Sequence, residues 1–292
     1  MNTGAYTTLT QGYGKATNAM KNTFNNFRSN KYVSGSKDFL ESNSLVAKVS
    51  FLLLIVILFV LALKYGTQFL GWLFSPSKNP KLVDGMKEGH VSKIIPQDPN
   101  ASGAKPILRS VNQDFGIEFT YSVWLYINQL RNDGKYKHIF HKGNDGFSMG
   151  SPEGLNEPNN APGLYIDKDT NNLVIIMNTF NNINEKVIVR DIPMHKWINV
   201  IIRVDGNKMD VYVNGTIAVR HIFKSVPKQN YGDIYVNMNG GFDGLLSDLW
   251  YHDYGLNTNE ILTIVENGPN MKMSKSLKVM PPYFSLRWYF QQ

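Results

Sequence analysis

Acid–base and metal chemistry require side chains that converge, so in this 292-residue chain such chemistry depends on the spacing of its carboxylates and imidazoles. Retaining glycoside hydrolysis needs two carboxylates held about 5 Å apart on one face. Glu153 and Glu157 are the nearest approach to such a pair, but they fall in the turn-rich run SPEGLNEPNN, where acids are ordinarily solvated. The six histidines form no metal box. His138 and His141 are three apart in a strand-like run, which alternation sends to opposite faces, and His195 with Asp191 flanks Pro193 at a turn. With zero cysteines there is no disulfide scaffold, no cysteine zinc cluster and no thiol nucleophile. The sequence has no G-x-S-x-G elbow, P-loop or dinucleotide fingerprint, so a non-enzyme is expected. Calcium stays open as the one cofactor: Asn144 and Asp145 before Gly146, and Asp243 before Gly244, carry hard oxygen donors, yet each is equally an ordinary turn residue. Sugar recognition needs an exposed aromatic ring beside polar groups, and Tyr231, Phe242 and Tyr254 stand near strand ends where they could supply one. Trp124 and Trp197 read as core because their neighbours on both faces are apolar or aromatic, while Trp250 is ambiguous.

These residues must be positioned by strands. From Gly116 onward the chain alternates β-branched and aromatic runs with turn residues, giving ten expected strands between Ile117 and Tyr254. The clearest stretch is WINVIIRV-DGN-KMDVYV-NG-TIAVRHIF. Asn214-Gly215 is a type I′ hairpin signal, because that turn needs φ > 0 at both positions. The register that follows pairs Val213 with Thr216, Tyr212 with Ile217 and Val211 with Ala218. A late helix is expected after Asn257, with Glu260 completing a capping box and Gly268-Pro269 ending it. Such strand-rich patterning makes an antiparallel two-sheet sandwich the default architecture.

Between Lys48 and Lys64 lies VSFLLLIVILFVLAL, without a charge. Those apolar residues alone fall short of the roughly 30 Å hydrocarbon core, but the two lysines can lay their stems along a helix and lift their ammonium groups to the interface. The expected single-pass anchor is marked by Lys48, Phe51, Leu54, Ile57, Val60, Lys64 and the interfacial Trp72, with a lipid bilayer as partner. The net charge of +7 is distributed unevenly: residues 107–270 hold 14 basic and 18 acidic side chains, so the basicity sits in the flanking segments. That excludes a duplex-binding face on the main domain, and no nucleic-acid partner is expected. Five segments follow: a polar basic arm over 1–44, the transmembrane region over 45–74, a Pro-rich linker over 75–106, a β-domain over 107–270, and a basic aromatic tail over 271–292. In the arm, Ala16, Met20, Phe24 and Phe27 fall at helical spacing.

The succession FTYSVWLYI, HIFHKG, PGLYID, LVIIMNT, HKWINVIIRV, MDVYVNGTIAV and GGFDGLLSDLWYHDYGLNTNEI resembles a concanavalin A-like lectin/glucanase jelly roll of the laminin-G-like or pentraxin-like branch, over about residues 107–270. The resemblance implies an all-β, antiparallel two-sheet jelly-roll sandwich, here preceded by a single transmembrane helix. Glucanases of this fold carry a Glu-x-Asp-x-(x)-Glu strand, which is missing here, so the resemblance implies binding without hydrolysis. The anchor and the ending PPYFSLRWYF further resemble membrane-anchored proteins of large double-stranded DNA viruses. On that resemblance the expected function is a minor virion component whose jelly roll docks on protein partners, including capsid proteins, from a virion internal membrane or a host membrane. Arg287, Trp288 and Tyr289 are then candidate contacts, and a membrane-displayed, glycan-binding lectin is the alternative.

Overall fold

The computed structural model describes residues 22, 45–73, 75–110, 116–147 and 153–274. The 1–44 arm apart from residue 22, and the tail contacts Arg287, Trp288 and Tyr289, lie outside the described residues. The chain divides into two units, Met1–Ser75 and Pro76–Gln292.

In the first unit, helix α1 spans Leu45–Leu73 and carries all seven expected anchor residues. It continues past Lys64 because Tyr65 to Leu73 holds no proline and no run of β-branched residues. Its 26-residue portion Lys48–Leu73 is long and apolar enough to cross a membrane, rising about 39 Å at the standard helical pitch. Its leucines, isoleucines and valines are exposed all round, so no face of the helix is covered by the described residues.

The second unit is a sandwich of two six-stranded antiparallel sheets. The strands are β1 (Lys81–Glu88), β2 (Lys93–Ile95), β3 (Glu118–Gln129), β4 (Lys137–Gly143), β5 (Gly163–Ile166), β6 (Leu173–Met177), β7 (Glu185–Val189), β8 (Trp197–Asp205), β9 (Lys208–Val213), β10 (Thr216–Ile222), β11 (Asp233–Val236) and β12 (Asp243–His252). The first sheet runs β1-β12-β3-β8-β9-β10 and the second β2-β11-β4-β5-β6-β7. Their inner faces share one core, in which Val123, Leu125, Ile139, Phe140, Leu164, Ile175, Val200 and Ile202 are all buried. Alternation along β3 puts Phe119, Tyr121 and Val123 into that core and turns Thr120, Ser122 and Trp124 outward. Helix α2 (Thr258–Asn267) covers part of this outer face, packing Ile261 on Ile201 and Leu256. Its capping box is formed as expected: Glu260 N donates to Asn257 Oδ1 at 3.0 Å, and Asn257 N donates to Glu260 Oε2 at 2.8 Å.

The hairpin register holds for Thr216–Val213 and Ile217–Tyr212, then shifts, so that Val211 pairs with Val219 and Ala218 is the extra residue of a bulge. The segment expected as a spacer is corrected more substantially. Residues 75–106 contribute β1 and β2, which are the edge strands of the two sheets, and Leu82, Val83 and Ile95 are core residues. The prolines fit because Pro80 precedes an edge strand and Pro96 follows one, where no ladder donor is lost. Trp197 is also corrected: it faces outward from β8, is half-buried, and leans on Tyr126 with ring centroids 5.6 Å apart.

Candidate ligand-binding cleft

The inner faces of the sheets part at one end of the sandwich, leaving a cleft of about 490 Å³. Its floor is aromatic. Tyr121 and Tyr251 meet at 5.1 Å and Phe119 and Tyr121 at 5.8 Å, and Tyr251 Oη donates to Leu108 O at 2.8 Å. One wall comes from residues 97–109. Gln97 is locked there: its backbone N donates to Asp233 Oδ1 at 2.8 Å, and its Oε1 accepts from Ile107 N at 2.8 Å. The opposite rim is the Lys228–Tyr231 turn, held by Gly232 N donating to Asn230 Oδ1 at 2.6 Å. Tyr231 projects from this turn with 72% of its surface exposed, whereas Gln229 Oε1 is buried without a hydrogen-bond partner.

Lys142 reaches the cleft from β4. Its Nζ donates to Gly232 O at 2.6 Å, and burial pushes its pKa down to about 8 against the opposing pull of Asp233. Arg109 and Lys228 add cationic groups, and Asp98 Oδ1 is engaged by Asn100 N at 2.8 Å. An exposed ring, amide groups and an aromatic floor can hold a polyhydroxylated ligand, with the ring stacking on its C–H face and the amides exchanging hydrogen bonds with its hydroxyls.

Of the described residues expected from sequence, only Tyr231 lines this cleft. Phe242 is corrected: at 1% exposure it is a core side chain, with its ring against Gly89. Tyr254 is half-buried, and its hydroxyl donates to Glu260 Oε1 at 2.8 Å in a groove beside α2. Asn144 and Asp145 follow the end of β4 that pairs with Asp233, while Asp243 lies beyond the other end of β11 and accepts from Asn128 Nδ2 at 3.2 Å. The three are therefore not gathered into one site, and among the described residues no group of three or more His, Asp or Glu side chains converges. Glu153 pairs with Lys168 at 3.2 Å, and Glu157 accepts from Asn184 Nδ2 at 3.0 Å.

The sequence misplaces one titratable cluster. A register shift between His138 and Phe140 sends both Ile139 and Phe140 into the core, so His138 and His141 share the outer face of the second sheet. Their tautomers follow from their partners. Met238 N donates to His138 Nδ1 at 2.9 Å, so His138 Nε2 carries the proton given to His141 Nδ1 at 2.7 Å, and His141 Nε2 donates to Asn144 O at 2.9 Å. Phe147, Tyr165 and Tyr235 pack around the pair. Burial pushes His138 well below the usual imidazole range and His141 to about 4, so both are neutral at pH 7 and the chain is fully satisfied. A bulge has no local sequence signature, which is why alternation failed at these two residues.

His252, on the outer face of β12, is the contrasting case. It is 7% exposed, neither ring nitrogen has a partner, and burial pushes its pKa down to about 4.

No curated protein matches this sequence. Among solved structures, a botulinum neurotoxin serotype D binding domain is similar at 16% identity and TM-score 0.43, covering 64% of this chain and 50% of that one. The binding domain of serotype G is similar at 13% identity and TM-score 0.42, covering 62% and 46%. This chain thus spans about half the length of those structures. The model of the family described as the concanavalin A-like lectin/glucanases superfamily matches residues 103–262, more than half of the 292 residues, and the chain belongs to that superfamily.

Proposed function

We propose that this chain is a single-pass membrane protein whose concanavalin A-like domain is a non-enzymatic binding module, with the Tyr231 cleft as its site and a glycan as its ligand class. The observation that carries this reading is the exposed Tyr231 ring beside the unpartnered Gln229 amide oxygen and the desolvated Lys142 amine. A glycan array with residues 76–292 tests it: saturable binding should fall about tenfold or more in Tyr231→Ala, as expected when an interface aromatic worth about 1–2 kcal/mol is lost. No glycan above background would overturn the ligand class. The anchor is tested separately. Full-length protein should resist extraction by salt and carbonate, and Leu54→Asp with Ile57→Asp should release it, since each central charge costs about 2.5–3.5 kcal/mol on insertion.

A protein partner is the second reading, and a different surface favours it. Where the edge strands β7 and β10 close one side of the sandwich, Phe180, Ile183, Ile222 and Val226 are exposed together, with Phe180 N donating to Val226 O at 3.0 Å. Monomers seldom leave such a patch open. In this reading the domain docks on capsid proteins of a virion, so the chain should be found in purified particles and leave them with the membrane layer during stepwise detergent stripping. Its absence from particles would rule that out.

A further inference from the structure

The side of the sandwich opposite β7 and β10 is made of the edge strands β1 and β2, the connection over 96–105 and the C-terminal segment 271–274. Met86 N donates to Lys272 O at 2.7 Å and Ser274 N donates to Met86 O at 2.6 Å, so this segment lines the free edge of β1. Lys105 Nζ donates to the backbone oxygens of Lys81 and Leu82, the latter at 3.2 Å. A hollow of about 310 Å³ lies among Asp84, Lys93, Lys105 and Lys272.

The charges on this side are unbalanced. Asp84 is taken by Lys81 at 2.9 Å, while Lys87, Lys93, Lys105 and Lys272 make no ion pair among the described residues. Burial pushes Lys93 down, and so does its repulsion by Lys105 and Lys87, against the opposing pull of Asp84. Val91, Ile94, Met271 and Met273 stand exposed among these amines. The body of the domain carries the opposite sign, with 18 acidic against 14 basic residues over 107–270. Seven residues, 74–80, connect the end of α1 to the start of β1, and a chain of that length reaches at most about 25 Å.

We propose that this lysine-rich edge is a docking surface for the anionic lipid head groups of the membrane that holds α1. Ammonium groups outside any ion pair attract the phosphates and carboxylates of such lipids, and the interleaved Met, Ile and Val side chains are of the kind that enter the boundary between head groups and acyl chains. The acidic remainder of the domain is repelled by the same surface, which fixes the side that faces the bilayer.

The inference rests on the anchor reading, and the test separates the two. Full-length protein is placed in nanodiscs of phosphatidylcholine alone or with phosphatidylserine, and amine acetylation is followed residue by residue by mass spectrometry. Lys87, Lys93 and Lys272 should react about fivefold more slowly in the anionic discs, recover in high salt, and respond less in a Lys93→Glu/Lys272→Glu variant. Lys208 and Lys224, elsewhere on the domain, are the internal reference. Equal rates in the two discs would overturn the proposal. So would the same slowing produced by inorganic phosphate in detergent, which would mark a soluble-anion site. Failure to enter neutral discs would sink the anchor alone. In that case, flotation with phosphatidylserine vesicles that the double variant abolishes would support the surface, and absence of flotation would overturn it.

Discussion

Acid should destabilise this domain through its buried imidazoles well before its carboxylates protonate. His141 and His252 are each held near pKa 4 by burial, against about 6.5 in an unfolded chain. Between those values the unfolded state binds more protons, so stability falls as pH drops through the window. From pH 7 to pH 5 the linkage integral gives about 2 kcal/mol for each residue, and about 4 kcal/mol for the two if they act independently. His138 shifts in the same direction and adds to the loss. The lowered carboxylates Asp84, Asp133 and Glu185 have ordinary values of 3.8–4.5 and contribute mostly below this range. Against a total stability of about 5–15 kcal/mol, the loss is large. Urea unfolding of residues 76–292 at the two pH values should show a midpoint lower by roughly 1–2 M at pH 5. His252→Phe should leave stability at pH 7 unchanged or raised, because its two nitrogens have no partners to lose, and should remove about 2 kcal/mol of the acid sensitivity. A midpoint that stays constant from pH 7 to pH 5, or a variant as acid-sensitive as the parent, would refute the reasoning.

Gly215→Val should lower stability by more than about 1 kcal/mol in chemical denaturation. The nearest atoms to an added Cβ, on Val265 and Leu262, leave ordinary room at 3.5 and 3.6 Å, so the cost isolates the backbone at φ 81°. Trp197→Ala should cost about 1–2 kcal/mol, below the roughly 3–5 kcal/mol of a buried aromatic, because the indole is half-buried against Tyr126; a loss at the upper value would place it in a core. Asn257→Ala should cost about 1 kcal/mol and raise amide exchange in the first turn of α2, through loss of the Glu260 N donation to Asn257 Oδ1; unchanged exchange there would show that tertiary packing alone holds the helix start.

The strands from β3 onward were legible because β-branched and aromatic runs alternate with turn residues, and in the stretch from Trp197 the DGN and NG turns bound Lys208–Val213 to the residue and mark the starts of Trp197–Asp205 and Thr216–Ile222. β1 and β2 were not legible. β2 has only three residues and the pairing of β1 is broken by register shifts on either side of Val83; each is flanked by proline and held by a partner more than a hundred residues away, β1 by β12 and β2 by β11, so no local period reveals them. Treating 75–106 as a spacer also hid the basic edge, since lysines in a loose linker have no common face. In the site, Tyr231 was legible because the flanking Gln229, Asn230 and Gly232 mark a turn. Phe242 has the same kind of neighbours, Gly241 and Asp243, but lies one residue before β12, where the pleat directs it inward. Composition cannot separate those two cases, because only the sheet decides which face a strand-end aromatic takes.

Burial alone does not tell a structural polar cluster from one that a ligand would complete, and on the reading proposed above the Tyr231 cleft is of the second kind. In the His138–His141 chain every ring nitrogen has a partner, ending on Asn144 O, and neither ring carries a charge at pH 7. Such a cluster recovers its desolvation internally and fixes the loop after β4; a ligand would have nothing to add. In the cleft, Lys142 keeps a charge that burial opposes and donates to a single carbonyl, and Gln229 Oε1 accepts from nothing. There the fold carries a cost that an incoming hydroxyl or carboxylate would relieve, so part of such a ligand's binding energy would come from groups the protein has already desolvated and oriented. His252 stands between the two, with unpartnered nitrogens but no charge, so what it forgoes is hydrogen bonding rather than solvation of an ion. By that measure the Tyr231 cleft has the most to gain from a ligand, and the histidine chain the least.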